Sequence, residues 1–344
     1  MTAQFKKHVL NFKRPSGTSR GVLKTKDTYF IILKSDEGFG VGECGLLRGL
    51  SVDDRPDYEE KLQWVCDNIF LGIEKLYESL EEFPSIQFGI ETAFKSMESE
   101  DPFVLFPSEF TDGKSSISIN GLVWMGDKAF MKAQIAEKLK EGFRCIKMKI
   151  GAIDFKSELE LLKSIRKEFS SSEVELRVDA NGAFSPSDAL EKLKRLSDFQ
   201  LHSIEQPIKQ GQLMEMARLC EETPLPIALD EELIGIFSEV KKNRLLDTIK
   251  PQYIILKPSL VGGFKGSDTW INLAEKYGAG WWITSALESN IGLNAISQYT
   301  FTKSSKLPQG LGTGSLYNNN VESPLEVSQG ALHYNPLKEW EIQF

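Results

Sequence analysis

Short apolar runs recur through the last two thirds of the chain, and each run ends in a polar or small residue. These end residues lie 25 to 32 positions apart and are Asn120, Lys147, Asp179, Glu205, Asp230, Lys257, Ser285 and Gly312. A strand, a helix and two loops fill one such interval. The pattern therefore predicts eight strands, at residues 116–120, 145–150, 175–179, 203–205, 226–230, 253–257, 280–284 and 309–312.

The intervals between these strands carry helix signals. Ser185 and Asp188 form a capping box with Pro186 at the first helical position, and Asp154 precedes another apolar face. Ser267 is expected to begin a further helix that Gly278 ends in a left-handed conformation. Because eight alternating strand and helix units close into a barrel, the predicted fold class is α/β, a modified (β/α)8 barrel of the TIM type.

The chain before the barrel has a different pattern. Residues 29–33 and 41–45 flank turn-forming residues and predict a hairpin. Apolar residues at helical spacing cover 57–80 and 86–97. This part of the chain is therefore expected to be an α+β domain.

The length of the chain agrees with two domains. A barrel of this type uses about 250 residues, and the chain has 344. We expect the α+β domain over residues 1–112, the barrel over 113–320 and a C-terminal segment over 321–344 that packs back on the first domain.

Composition excludes several classes of function. The formal net charge of −8 is spread along the chain, whereas a nucleic-acid surface needs clustered positive charge. No apolar run approaches the roughly 18 residues of a membrane span, and residues 1–20 lack the apolar core of a signal peptide. The four cysteines are far apart and are expected to be reduced, buried thiols in a cytoplasmic protein.

Three carboxylates end successive predicted strands, at Asp179, Glu205 and Asp230. Because the carboxyl ends of barrel strands meet at one mouth, these side chains should lie together. Three ionised carboxylates repel one another unless a cation joins them. An all-oxygen ligand set favours a hard ion, so we expect a Mg²⁺ site, where Mn²⁺ can substitute.

Three lysines accompany these carboxylates. Lys147 and Lys149 lie two residues apart on one strand and share a face, whereas Lys257 ends a strand on the far side of the mouth. Two ammonium groups so close are expected to lower each other's pKa, which would give a base near neutral pH. With metal charge nearby, the chemistry predicted is abstraction of the proton α to a carboxylate.

The full set of motifs resembles the enolase superfamily, in its muconate-lactonizing subgroup. The matching motifs are Lys147-Met148-Lys149, Asp179-Ala180-Asn181, Glu205-Gln206-Pro207, Asp230-Glu231 and Lys257-Pro258. The resemblance implies an N-terminal capping domain over the barrel mouth. Within the subgroup, the segments 284–292 and 310–314 are most similar to o-succinylbenzoate synthases, which act on 2-succinyl-6-hydroxy-2,4-cyclohexadiene-1-carboxylate in the route to menaquinone.

The resemblance implies a role for each residue. Lys149 would take the α-proton, Lys257 would stabilise the enediolate from the opposite face, and Lys147 would tune Lys149. Asn181 and Glu231 would orient metal and lysine groups. The succinyl arm of the small-molecule carboxylate substrate would meet Ser285, Gly312 and Arg20, of which Arg20 is suggested by its position alone.

Other activities stay open at this point. An N-succinylamino acid racemase or a dipeptide epimerase would use the two lysines as acid and base on opposite faces. Dipeptide epimerases carry an Asp-x-Asp pair where this chain has Gly312-Thr313-Gly314, which argues against that activity. Muconate cycloisomerisation and a non-catalytic barrel scaffold are more remote alternatives. The oligomeric state is open, and a homo-oligomer is compatible with the sequence.

Overall fold

The N-terminal domain consists of an antiparallel sheet and three helices that pack on it. The structure is a computed structural model that describes residues 1–18, 21–124, 126–151 and 153–342. The sheet, called the capping sheet below, has the strand order β1 (Thr2–Thr18), β2 (Gly21–Ser35) and β3 (Gly38–Cys44). The helices are α1 (Tyr58–Asp67), α2 (Gly72–Glu78) and α3 (Pro84–Glu98), with a 3₁₀ turn at Ile69–Leu71. The pairing of β2 with β3 confirms the predicted hairpin.

Close contact between α3 and β3 depends on two glycines. A Cβ atom added at Gly42 would lie 1.9 Å from the carbonyl oxygen of Gly89, and one added at Gly89 would lie 2.3 Å from the Cys44 sulfur. Side chains cannot be tolerated at these positions, since a helix and a strand meet there backbone to backbone. Alternate residues of β2 then fill the core beneath α3, including Tyr29, Ile31 and Leu33.

The second domain is a curled parallel sheet surrounded by helices, which confirms the predicted barrel fold. After β4 (Ser116–Ser118), its seven strands are β5 (Gly121–Val123), β6 (Cys145–Lys149), β7 (Glu175–Asp179), β8 (Ser203–Glu205), β9 (Ile227–Leu229), β10 (Tyr253–Leu256) and β11 (Gly280–Ile283). The helices are α4 (Lys128–Lys140), α5 (Phe155–Glu168), α6 (Pro186–Ser197), α7 (Leu213–Glu222), α8 (Glu239–Ile249), α9 (Pro258–Val261), α10 (Gly263–Lys276) and α11 (Asn290–Thr302). Two 3₁₀ turns lie at Glu231–Leu233 and Gly314–Leu316.

The first and last predicted barrel strands differ from the structure. Residues of β4 pair antiparallel outside the barrel, and the first barrel strand is β5. Residues 309–312 form no regular strand. Instead Gln309 bridges to Ile119 and Gly310 bridges to Thr284, which joins the two edges of the sheet. Glycines at 310 and 312 weaken strand formation, so two isolated bridges close the barrel there.

The helix signals were mostly predicted correctly. Ser185 accepts a hydrogen bond from the Asp188 N–H, and Asp154 accepts one from the Ser157 N–H, so both cap helices as expected. The predicted start of α10 at Ser267 was wrong, because the helix begins at Gly263. Glu91 of α3 accepts hydrogen bonds from the N–H groups of Phe264 and Lys265, which supplies a cap from the other domain that no local signal could reveal.

The C-terminal residues contact both domains. Strands β12 (Leu325–Ser328) and β13 (Ala331–Tyr334) pair antiparallel, and β13 continues the pairing to β4. Further on, Trp340 stacks on Phe103 with ring centroids 4.6 Å apart and lies against apolar residues of β2 and β3. The exact domain boundaries at 112 and 320 stay a prediction.

Two further sequence observations concern the cysteines and the membrane. Cys44, Cys66, Cys145 and Cys220 are all free and buried. Within the described ranges, none of the helices has both the length and the apolar character needed to cross a membrane.

Asp53 offers a test of the packing in the first domain. Its fully buried carboxylate accepts hydrogen bonds from the N–H and the hydroxyl of Ser85, at the start of α3. Burial raises the pKa of Asp53 to about 6, above the value of an unfolded chain. The stability that Asp53 contributes is therefore greatest below about pH 4 and is lost as the pH rises through about 6.

We expect that Asp53→Asn, which cannot ionise, removes this loss. The Tm of the wild type minus that of the variant, measured by calorimetry, should be more positive at pH 5 than at pH 8. Asp36→Asn is the control, because Asp36 is exposed in the turn between β2 and β3 of the same domain. A difference in Tm that is the same at both pH values would contradict the assignment.

Candidate active site

Five charged residues converge at the carboxyl ends of consecutive barrel strands. The register pairs Lys149 with Asp179 and Asp179 with Glu205, so these three residues lie at one level across β6, β7 and β8. Asp230 directly follows β9, and Lys257 directly follows β10. All three carboxylates are buried, at 0 % exposure for Asp179, 3 % for Glu205 and 2 % for Asp230. The structure thus brings together the carboxylates and lysines that the sequence predicts.

Ammonium groups contact each of these carboxylates. Lys147 Nζ lies 3.1 Å from Asp179 Oδ2 and also contacts Glu205 Oε2. On the other side of the mouth, Lys257 Nζ contacts Asp230 Oδ2. Among the residues that the structure describes, no three His, Cys, Asp or Glu side chains are arranged as a ready metal-ligand set. The lysines thus supply the positive charge that the carboxylates require.

This arrangement corrects the expected effect of the lysines on each other. Burial lowers the pKa of Lys147, but the charges of Asp179 and Glu205 outweigh it and raise that pKa above its ordinary value. Burial and Asp230 act in the same opposed way on Lys257, whose pKa is also raised. The prediction that the ammonium of Lys149 lowers the pKa of Lys147 was therefore wrong. Two carboxylates contact Lys147 directly, and their charges raise its pKa instead.

The carboxylates still provide a fitting site for a hard cation. Burial, together with the charge of Asp179, raises the pKa of Glu205. One of its oxygens, Oε1, is buried and has no hydrogen-bond partner. An orphaned carboxylate oxygen beside two further carboxylates is a donor set that suits Mg²⁺. Asp179, Glu205 and Asp230 could therefore hold a divalent cation.

Lys149 donates hydrogen bonds to two acceptors at the ends of the strands. Its Nζ donates to Asp179 Oδ2 at 2.9 Å and to Asn181 Oδ1 at 2.7 Å. Lys149 also lines the cavity that lies over these groups.

Asn181 and Glu231, whose predicted role is to orient metal and lysine groups, are hydrogen-bonded to each other beside Lys149. The Asn181 amide donates to Glu231 Oε1 at 3.0 Å, while its backbone N–H donates to Asp179 Oδ1 at 3.0 Å. Asn181 has a φ of +44°, a left-handed conformation that asparagine tolerates better than most residues. The Lys149 amine and the Asp179 carboxylate are therefore oriented by the same side chain and its backbone.

Gln206 is a positioning residue that the sequence interpretation missed. Its side chain is fully buried, and its oxygen accepts from the N–H groups of Asp230 and Glu232, both at 3.2 Å. Its amide nitrogen donates to Glu232 Oε2 at 3.0 Å. Gln206 thereby fixes the strand ends that carry Glu205 and Asp230. The sequence shows only that Gln206 follows the predicted metal ligand Glu205. That position alone does not tell whether the glutamine is buried and hydrogen-bonded to two strand ends or exposed in a loop.

A cavity of about 540 Å³ lies over these groups, within the usual range for small-molecule sites. Its lining includes Ser285 and Gly312, whose contact with substrate stays a prediction. Ser285 Oγ lies 2.6 Å from Thr313 Oγ1, so Thr313 is a further lining hydroxyl that was not predicted. The predicted contact at Arg20 lies outside the described residues.

Comparison with known proteins agrees with this geometry. Residues 131–337 match the family described as Enolase C-terminal domain-like. An o-succinylbenzoate synthase of Desulfotalea psychrophila is 47% identical, over 96% of this chain and 98% of that protein. A crystal structure of MenC from Desulfotalea psychrophila LSv54 superposes with a TM-score of 0.86 and 43% identity, covering 97% of this chain and 99% of that one.

A more distant structure shows the same fold with its ligands bound. The dipeptide epimerase of Enterococcus faecalis, in complex with Mg and the dipeptide L-Leu-L-Tyr, has a TM-score of 0.84 at 19% identity, with 97% of this chain and 96% of that chain covered.

The fold and the site together define a class of barrel enzymes that bind a divalent metal ion at the carboxyl ends of their strands. The chain belongs to the enolase superfamily, in its muconate-lactonizing subgroup, which confirms the resemblance drawn from the motifs.

Asp230 allows the metal site to be tested apart from catalysis. Asp230→Asn keeps the shape of the side chain but removes a charged oxygen ligand, so we expect Mg²⁺ affinity to fall about tenfold or more in calorimetric titration. Asp247→Asn is the control, because Asp247 is exposed on α8. An Asp230→Asn protein that binds Mg²⁺ as tightly as the control would exclude Asp230 from the ligand set.

Proposed function

We propose that the protein is an o-succinylbenzoate synthase. This carbon–oxygen lyase removes water from 2-succinyl-6-hydroxy-2,4-cyclohexadiene-1-carboxylate on the route to menaquinone. The proposal rests on two observations that agree. The chain is 47% identical to such a synthase over nearly its whole length, and Lys149 and Lys257 line a single cavity.

Asp179, Glu205 and Asp230 would hold the Mg²⁺ ion, for which Mn²⁺ would substitute. A divalent cation at this position supplies positive charge beside the ring carboxylate of the substrate, and so makes the C–H bond next to that carboxylate more acidic. A lysine alone is too weak a base for such a carbon acid. The buried, orphaned oxygen of Glu205 supports this assignment.

Lys149 would carry the proton in both halves of the reaction. Its amine takes the proton from the ring carbon that bears the carboxylate, which breaks a C–H bond. The resulting ammonium then gives a proton to the hydroxyl on the adjacent carbon, and the C–O bond breaks as water leaves. The new double bond makes the ring aromatic, and Lys149 is returned to its neutral form. Because one side chain serves both steps, the hydrogen and the hydroxyl leave from the same face.

Lys257 would stabilise the negative charge that develops between these two steps. In the sheet, β6 and β10 are separated by three strands, so Lys149 and Lys257 enter the cavity from different walls. Asp230 raises the pKa of Lys257 despite its burial, which keeps Lys257 an ammonium at neutral pH. Lys147 is also held charged, because the charges of Asp179 and Glu205 raise its pKa despite its burial.

The far end of the cavity would receive the succinyl arm. Ser285 supplies a hydroxyl there, paired with Thr313. At Gly312 an added Cβ would lie 3.3 Å from Ile119 Cδ1, so even alanine would crowd this wall. Arg20 is proposed as a further contact on its sequence position alone. We place the enzyme in the cytoplasm, with a small carboxylate as its ligand and with its oligomeric state open.

N-succinylamino acid racemisation is the second candidate function. It is favoured by the two lysines that line one cavity, because racemisation needs an acid and a base on opposite faces. Dipeptide epimerisation is supported less, since residues 312–315 contain no carboxylate that could bind a substrate amine. A non-catalytic scaffold would have no reason to retain every lysine and carboxylate of the site.

The substrate assignment can be tested by ultraviolet absorbance. Purified protein with Mg²⁺ should convert the cyclohexadiene carboxylate to o-succinylbenzoate, with loss of the diene absorbance, and EDTA should stop the reaction. No turnover by folded protein, together with Mg²⁺-dependent exchange of the α-proton of an N-succinylamino acid in deuterium oxide, would replace the synthase with the racemase.

The assignment of the base has its own test. Lys149→Ala should lower kcat by about 10² to 10⁴ or more, because the general base is lost while Lys147 and Lys257 remain. Lys156→Ala, at an exposed position on α5, should retain wild-type kcat. Circular dichroism of both variants checks folding. Substantial turnover by Lys149→Ala would mean that another group takes the proton.

A further inference from the structure

Three charged side chains outside the proton-transfer set are buried where the capping sheet meets the barrel. Lys26 of β2 is 4 % exposed, Glu43 of β3 is 0 % exposed, and Glu288 is 0 % exposed in the segment between β11 and α11. Charged side chains are rarely buried unless they are paired. The burial of three charged side chains at the junction between the domains therefore requires a structural or functional explanation.

Glu43 ties the capping sheet to the start of α11. Its carboxylate accepts hydrogen bonds from the N–H of Ser289 at 2.8 Å, the Ser289 hydroxyl at 2.5 Å and the N–H of Gly292 at 2.8 Å. Within the capping sheet it also accepts one from the Thr28 hydroxyl at 2.7 Å. A carboxylate at a helix N-terminus is favourable both as a cap and for the helix dipole.

Glu288 connects the same junction to the strand end that carries Lys257. Its Oε1 accepts from the hydroxyl of Ser259, in the first turn after Lys257. Its Oε2 is buried without a hydrogen-bond partner, and so is the Nζ of Lys26, which is attracted electrostatically to both Glu43 and Glu288. Burial lowers the pKa of Lys26, and the charges of Glu43 and Glu288 oppose that lowering. Lys26 lies on the same face of β2 as Thr28, whose hydroxyl donates to Glu43, so Lys26 is a basic side chain buried beside these carboxylates.

The backbone next to Glu288 is strained and faces the cavity. Leu287 has a φ of +64°, in the left-handed region that leucine rarely adopts, and it lines the cavity together with Ser285. The hydroxyl of Tyr317 donates to the Leu287 carbonyl at 2.7 Å. A strained conformation persists only when its surroundings hold it, and Glu288 is the next residue along the chain.

We propose that Lys26, Glu43 and Glu288 form an interdomain charge latch that positions the cavity-lining segment 284–287 and the turn after Lys257. These are positioning residues, because none of them lines the cavity. The inference rests on the proposed function, since its effect is read through substrate binding. If Lys26 is removed, two buried carboxylates face each other without a counter-ion. Burial and the charge of Glu43 already raise the pKa of Glu288, so loss of Lys26 protonates or displaces Glu288. Either change alters its contact with Ser259 and the placement of Leu287 and Ser285.

The latch should therefore affect substrate binding more than proton transfer. Segment 284–287 follows β11 and contributes to the wall of the cavity. Lys149 and its acceptors border the same cavity at the ends of β6 and β7, which are not neighbours of β11 in the sheet. A purely structural role would lower Tm and leave KM unchanged in the protein that remains folded. A positioning role moves KM for substrate, since misplacement of a contact by about 1 Å is costly even far from the chemistry.

Steady-state kinetics of three proteins tests the latch. Lys26→Met should raise KM about tenfold with kcat changed less than about threefold. Lys24→Met is the matched control, because Lys24 lies on the same face of β2 but is exposed, and it should match the wild type. In Lys26→Met/Glu288→Gln only Glu43 keeps its charge, and three hydrogen bonds from the start of α11 still hold it, so KM should return to within about threefold of the wild type.

The outcomes separate the latch from the proposed function. If the wild type does not dehydrate the cyclohexadiene carboxylate, the proposed function fails first. If the wild type is active and Lys26→Met has the KM of Lys24→Met, or the double variant has the raised KM of the single one, the latch is overturned. Should Lys26→Met not fold, Glu288→Gln takes its place with the same expected rise in KM, because it leaves the buried ammonium without its second partner.

Discussion

The balance of buried charge at the barrel mouth is the constraint on which the rest of the structure depends. Asp179, Glu205 and Asp230 are almost fully buried, and carboxylates in that position are stable only with positive charge beside them. Lys147 and Lys257 supply it from two sides. In the proposed function, the same charges that allow this part of the molecule to fold would also prepare the site for a cation and a carboxylate substrate.

This balance gives the three lysines different duties. The carboxylates raise the pKa of Lys147 and Lys257, so these two side chains stay charged. Lys149 instead has one carboxylate oxygen and one amide oxygen as its acceptors. Lysines only two residues apart thus have different hydrogen-bond partners. The distinction arises from the acceptors on neighbouring strands and not from the lysines themselves.

The sequence predicts the site better than it predicts the edges of the fold. Each carboxylate ends an apolar run, so position along the chain translates directly into position at the mouth. By contrast, residues 116–118 have an apolar pattern but pair with β13, a strand more than two hundred residues away. Gln206 and Glu288 were not recognised as buried bridges, because only the partners that surround a polar residue decide whether it is solvated. Such partners come from distant parts of the chain.

The junction between the domains follows the same physical rule as the mouth. Glu43 and Glu91 each reach from the first domain to the N-terminus of a barrel helix, where backbone N–H groups lack partners. These caps place the capping sheet over the mouth without any apolar signal in the sequence. Substrate enclosure is thereby connected to the stability of two barrel helices.

A crystal structure of the protein with Mg²⁺ and o-succinylbenzoate tests the central claim most directly. The account predicts the cation bound to Asp179, Glu205 and Asp230, with the ammonium of Lys147 moved off the shared oxygens and with Lys149 and Lys257 on opposite faces of the product ring. A cation held by other residues, or both lysines on one face of the ring, would contradict it.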